Sequence, residues 1–208
     1  MEKNLFEAAD EGKGSQVERL LRNTASLKVN WSSKANNGRT ALRQACVKGH
    51  DQIVSLLLAH PDIVVNPKDK GGGTPFWVAC FNGKTTCVQV LLRDSRVRVN
   101  ETNNDGYTPL WQAAYDGHLA TVKSWIASGR EVDLGQPGNG KTDAILVVKN
   151  LYNLEMVTLL EDFKRDPAKT RGEERKDLKG TCTEFNYWIS IGFQLKWIEN
   201  GLNHHHPP

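Results

Sequence analysis

Residues 106–121 read GYTPLWQAAYDGHLAT. The stretch contains a turn glycine, a threonine, a proline, a seam of two alanines and a Gly-His corner. Each has a physical use. The Thr108 hydroxyl can accept an orphan N–H at a helix start. Pro109 then sits at the first helical position, where a missing N–H has no partner to lose. Stepping back 34 residues from Thr108 reaches Thr74 and then Thr40, and stepping forward reaches Thr142. The same step carries Ala113 to Ala79 and Ala45, and Gly117 to Gly83 and Gly49. A fixed period of this length predicts an array of stacked units, each burying its apolar face against its neighbours.

Working outward, residues 1–37 read as an atypical first unit. Leu5, Ala8 and Gly12 match Leu42, Ala45 and Gly49 at an offset of 37, as Val17, Leu20 and Leu21 match Val54, Leu57 and Leu58. The longer offset places an extended connection around Ala25 to Asn36. Polar Glu2, Lys3, Glu7, Asp10, Glu11 and Lys13 suit the water-facing side of a terminal unit. Residues 38–163 hold the remaining units. Their second helices carry the stripes Ile53, Val54, Leu56, Leu57 and Leu58, then Val88, Val90, Leu91 and Leu92, then Val122, Trp125 and Ile126. The last unit, Gly140 to Phe163, keeps Thr142, Val147, Met156, Leu159 and Leu160 in step. It replaces the corner glycine by Leu151 and reads as a C-terminal cap.

Residues 164–180 form a charged extension, expected to be solvated and either helical or frayed. Lys164 to Lys179 holds seven Lys/Arg and four Asp/Glu. Residues 181–208 form an apolar tail. Its odd positions from Tyr187 to Trp197 are apolar, a period-2 pattern with no partner strand elsewhere. The tail can dock on the last unit, bind a membrane or partner, or have no selected fold.

The TPLW, AA and GH elements, followed by V-x-x-LL and by VN at Val29–Asn30, Val65–Asn66 and Val99–Asn100, resemble the ankyrin repeat over Leu5 to Phe163. The resemblance implies an all-α solenoid of about five helix–turn–helix units, with hairpin loops between units and a concave binding face. It implies no catalytic residues. It departs at the histidine that ties neighbouring loops in the family pattern, where Arg43, Trp77, Trp111 and Ile145 stand.

Phe81 and Tyr115 each fall two residues before a corner glycine, a position that in the ankyrin pattern is variable and faces the concave side. Tyr107, at a finger base, is expected to point the same way. Aromatics anchor protein interfaces. The candidate partner-binding residues are Arg39, Val47, Lys48, Lys70, Phe81, Asn82, Asn104, Asp105, Tyr107, Tyr115 and Asp116. Trp77 and Trp111 are expected to pack against loops and each other, and Trp125 to be core.

A competing reading is nucleotide binding. Gly135 to Thr142, GQPGNGKT, matches the phosphate-loop pattern at every fixed position. Gly140 and Thr142 also fall in the repeat step, Gly138–Asn139 are turn residues, and no parallel sheet is predicted around the loop. The repeat reading is therefore preferred. Cys46 and Cys80 take the place of Ala114 and are expected to be small buried thiols. Cys87 lacks a base at nucleophile spacing. His50 and His118 are expected to make structural hydrogen bonds, and His204–His206 to be tail.

The 208 residues are 38% hydrophobic and 25% charged, with net charge +3. That balance gives no strong case for nucleic acid. No apolar run reaches the roughly 18–20 residues of a membrane span. The acidic, amphipathic MEKNLFEAADEG is unlike a secretory leader. Cys46, Cys80, Cys87 and Cys182 lack CxxC spacing, which points to a reducing cytosol. The expectation is a non-enzymatic, monomeric cytoplasmic scaffold that binds a protein partner, with no cofactor and no metal. Being a fragment or targeting arm of a larger signalling protein is the further alternative.

Overall fold

The computed structural model describes residues 2–23, 27–33, 37–135 and 143–180. The first helix pair is α1 (Glu2–Asp10) and α2 (Gly14–Asn23). A two-residue hairpin follows, β1 (Ser32–Ser33) antiparallel to β2 (Arg39–Thr40), with Ser32 opposite Thr40. Three pairs come next: α3 (Ala41–Lys48) with α4 (Asp51–Leu58), α5 (Pro75–Phe81) with α6 (Thr85–Arg93), and α7 (Pro109–Tyr115) with α8 (Leu119–Ser128). The last pair is α9 (Ala144–Asn150) and α10 (Leu154–Arg165), followed by α11 (Pro167–Gly180).

The first helices pack in one row, α1 to α3 to α5 to α7 to α9, and the second helices in another, α2 to α4 to α6 to α8. The result is an all-α solenoid. Its core is the seam that the 34-residue step marks: Ala45 and Cys46, Ala79 and Cys80, and Ala113 and Ala114 are all buried. These small side chains let the two rows approach closely. Phe76 and Trp125 fill the wider space behind them, edge to face at 4.9 Å between centroids. Such a pair contributes about 0.5–1.5 kcal/mol beyond its buried area. Trp125 is fully buried, and its indole N–H donates to the Glu131 carbonyl at 3.0 Å.

The helix starts are built as their sequence suggests. The hydroxyls of Thr40, Thr74 and Thr108 accept the backbone N–H of Arg43, Trp77 and Trp111 at 3.3, 3.1 and 3.1 Å. The asparagines of the VN elements sew each unit to the next. Asn30 takes the Val64 N–H at 2.8 Å, Asn66 takes that of Arg98 at 2.9 Å, and Asn100 takes that of Asp133 at 3.2 Å.

Two expectations are corrected. The fifth unit runs one residue longer than the step of 34. Its N-cap is Asp143, not Thr142, with Oδ1 accepting the Leu146 N–H at 2.7 Å. The left-handed corner of Gly117 (φ 74°) is taken by Tyr152 (φ 56°), not Leu151, which has φ −90°. The charged run after α10 is helical, one of the two forms expected, but it is packed and not solvated throughout. It forms α11, which packs on α8 and α10 and buries Thr170 and Glu174. Arg171 and Arg175 donate to the carbonyls of Arg130 and Ala127 at 3.2 and 2.6 Å, closing the end of α8. Direct packing between α8 and α10 is correspondingly sparse. The tail 181–208 lies outside the described residues.

Candidate functional site

Ring side chains four residues apart on a helix lie one above the other. On α7 this brings Trp111 and Tyr115 together, and Tyr107, just before the Thr108 cap, continues the column. Tyr107 and Trp111 stack at 4.2 Å and 22°, and Trp111 and Tyr115 at 5.2 Å and 9°. On the neighbouring α5, Trp77 and Phe81 stack at 5.4 Å and 13°. The two columns are tied together, because the Trp77 indole N–H donates to the Tyr107 carbonyl at 3.0 Å. The outer rungs are open to solvent, Phe81 at 43% and Tyr115 at 46%, while Trp77, Tyr107 and Trp111 are half-buried. Five rings thus form one stacked surface on the first-helix row.

The loops that carry this surface are equally set. Asp69 Oδ1 accepts the N–H of Gly71 and Gly73 at 2.9 and 3.0 Å. Asn103 Oδ1 does the same for Asp105 and Tyr107 at 3.1 and 2.9 Å. The position that departs from the usual histidine still reaches the next loop. Arg43 pairs with Asp69 at 2.6 Å, both side chains nine-tenths buried, and Trp77 bonds Tyr107. Burial pulls the Arg43 guanidinium below its ordinary pKa, with Asp69 acting against that pull.

The other candidates divide by what holds them. Asn104 is exposed at a finger tip, but its Nδ2 donates to the Lys70 carbonyl at 2.8 Å, so it links fingers. The Lys70 side chain is exposed beside it. Asn82 caps α5 through a 2.8 Å bond from Nδ2 to the Val78 carbonyl. Asp105 accepts from Asn103 at 3.2 Å and Asp116 from Gln112 at 2.7 Å, both still exposed. Lys48 reaches Asp10 at 3.4 Å. Arg39 and Val47 are half-buried in the second unit, at the steps corresponding to Gly73 and Phe81. Beyond these candidates, half-buried Trp77 and Trp111 also belong to the surface, Trp111 as the middle rung of its column. Their spacing of four from Phe81, Tyr107 and Tyr115 was the available signal. Leu146 of α9 is a further exposed apolar residue on the same row of helices.

Reactive groups lie elsewhere. Cys46, Cys80 and Cys87 are free and buried, and burial pushes their thiols up, that of Cys87 to about 12. His50 Nε2 lies 3.3 Å from the Asp10 carbonyl and His118 Nε2 lies 3.0 Å from that of Phe81, so both histidines join units. Among the described residues no group of three His, Cys, Asp or Glu converges as a metal site. Most of the phosphate-loop-like segment, residues 136–142, lies outside the described residues. The helix after it starts at Ala144, and the Asp143 carboxylate takes the N-terminal donor that a phosphate would need. Among the described residues the only sheet is the two-residue β1–β2 pair. Among them, too, no helix is long and apolar enough to cross a membrane.

A family model described as ankyrin repeats (3 copies) matches residues 5–103 and, overlapping it, 63–136. A search of curated proteins finds no match.

Proposed function

The chain belongs to the ankyrin repeat family, whose arrays generally serve as protein–protein interaction modules, and we propose that this one binds a protein partner through its concave face and hairpin fingers. The observation that carries the reading is the two-column aromatic surface on α5 and α7. Stacked rings on short helices lose little side-chain entropy when a partner covers them, and large aromatics dominate interface hot spots. Lys70, Asn104 and Asp105 supply polar contacts at the finger tips. Arg39, Val47 and Lys48 extend the surface toward the second unit, and Asp116 borders it at the corner. The proposed setting is the cytosol, which fits free thiols in the core. The proposed role is that of a non-enzymatic, monomeric scaffold.

The test is the double variant Phe81→Ala with Tyr115→Ala. Both rings are half-exposed, so the variant should keep a cooperative circular-dichroism melt, lowered only by two lost ring contacts of about 0.5–1.5 kcal/mol each. In an affinity pulldown with mass spectrometry the variant should lose the partners that the wild type retains. An unchanged partner set would remove the assignment.

A further inference from the structure

Helix α11 is not part of the repeat pattern, and it creates a second surface on the second-helix side. It runs antiparallel to α8, with Arg171 at Arg130 and Arg175 at Ala127. Between α8, α10 and α11 lies a groove of about 430 Å³. Leu154 and Leu159 of α10 form its apolar wall, with Leu154 78% exposed. Its charged groups are Lys123 from α8, Glu155 and Asp162 from α10, and Glu173 and Glu174 from α11.

Most of these charges are already paired. Lys123 lies 3.4 Å from Glu155, Lys169 lies 3.8 Å from Glu173, and Arg165 pairs with Asp162. Glu174 is different. It is only 8% exposed and lines the groove, and the cation that acts on it most, Lys123, is shared with Glu155. A buried carboxylate whose neighbouring cation is already engaged by another carboxylate is costly to the free fold.

We propose that this groove receives an arginine side chain from a basic segment of a partner protein, its guanidinium on Glu174 and its stem along Leu154 and Leu159. The chemistry selects the occupant. No three acidic groups converge on one point, so the groove is not shaped for a metal ion. A guanidinium is flat, weakly hydrated and forked, and can engage Glu174 together with a neighbouring carboxylate. The methylene stem suits an apolar wall. Burial holds Glu174 above the usual carboxylate range; Lys123 opposes that rise, and Asp177, Glu173 and Glu155 reinforce it. An incoming cation reverses the rise, so binding weakens as pH falls through the raised value. The site is separate from the aromatic surface and does not depend on it.

The test titrates the full chain with hexaarginine amide and reads backbone amide shifts by NMR. Shifts are expected at Thr158, Thr170 and Glu174, with hexalysine amide binding more weakly. Glu174→Gln keeps the shape and should weaken hexaarginine binding at least about tenfold, the scale of one charge-assisted bond. The same variant should melt no lower than the wild type, because it removes a buried charge that Lys123, shared with Glu155, neutralises only in part. Phe81→Ala with Tyr115→Ala should leave the titration unchanged. The proposal is overturned by shifts centred elsewhere, by unchanged affinity in Glu174→Gln, by loss of binding in the aromatic double variant, or by equal affinity for hexalysine. A lower melt for Glu174→Gln overturns it too, since Lys123 would then already satisfy Glu174 in the free protein.

Discussion

Replacing Tyr152 by glycine should stabilise the protein, while the same change one residue earlier, Leu151→Gly, should destabilise it. Tyr152 holds φ at 56° with its ring 87% exposed. A left-handed residue with a Cβ costs about 1–2 kcal/mol. Glycine removes that strain but adds about 0.5–1 kcal/mol of unfolded-chain entropy. The exposed ring gives back little on removal. The net gain is therefore about 0.5–1 kcal/mol, or about 1–4 °C in melting temperature for a chain of this size. At Leu151 φ is −90°, so glycine relieves no strain there. It brings only the entropic cost and the loss of a half-exposed leucine, a destabilisation of about 1 kcal/mol. Urea titration of both variants measures this pair, with the slope unchanged and the midpoint moving in opposite directions. If Leu151→Gly stabilises and Tyr152→Gly does not, the corner sits at Leu151 and the one-residue lengthening of the fifth unit is wrong.

Two further outcomes follow from contacts between units. Trp77→Phe keeps a ring against Phe81 but removes the N–H that Tyr107 accepts, and should lower stability by about 0.5–1.5 kcal/mol in a urea titration; no change would show that the indole does not tie the fingers. Asp94 is pushed up by burial, but its bonds from Arg96 at 2.7–3.0 Å outweigh that and lower its pKa below the ordinary 3.8. A lowered folded pKa means stability that is present above about pH 4 and lost as pH falls through the folded value. The gap between wild type and Asp94→Asn should therefore shrink on acidification below pH 4, and a gap independent of pH would contradict the assignment.

Much of the fold is legible because one physical requirement recurs at one spacing. Thr40, Thr74 and Thr108 cap helices, alanine and cysteine line the seam, and Gly49, Gly83 and Gly117 turn the corner. The step fails at the fifth unit for a reason visible in the residues. Asp143 caps as well as a threonine does, and Tyr152 tolerates the corner without being glycine, so neither announces the added residue. A helix in the charged run is open to the sequence, but its docking is not, because Arg171 and Arg175 reach the backbone carbonyls of Arg130 and Ala127, a contact with no sequence signature. In the site, the exposure of Phe81 and Tyr115 could be read from their distance to the corner. The part played by Trp77 and Trp111 could not, since a repeat-to-repeat comparison pairs them with each other. The spacing of four along each helix pairs them with Phe81, Tyr107 and Tyr115 instead.

The central claim is that the α5–α7 aromatic surface meets a protein partner. A photo-crosslinking amino acid at position 115 tests it most directly, with the same group at exposed Thr86 of α6 as the comparison. The account predicts a discrete adduct from position 115 that is reproduced from position 81 and absent from position 86. Equal adducts from 86 and 115, or none from 115 and 81 when the partner set of the pulldown is present, would contradict it.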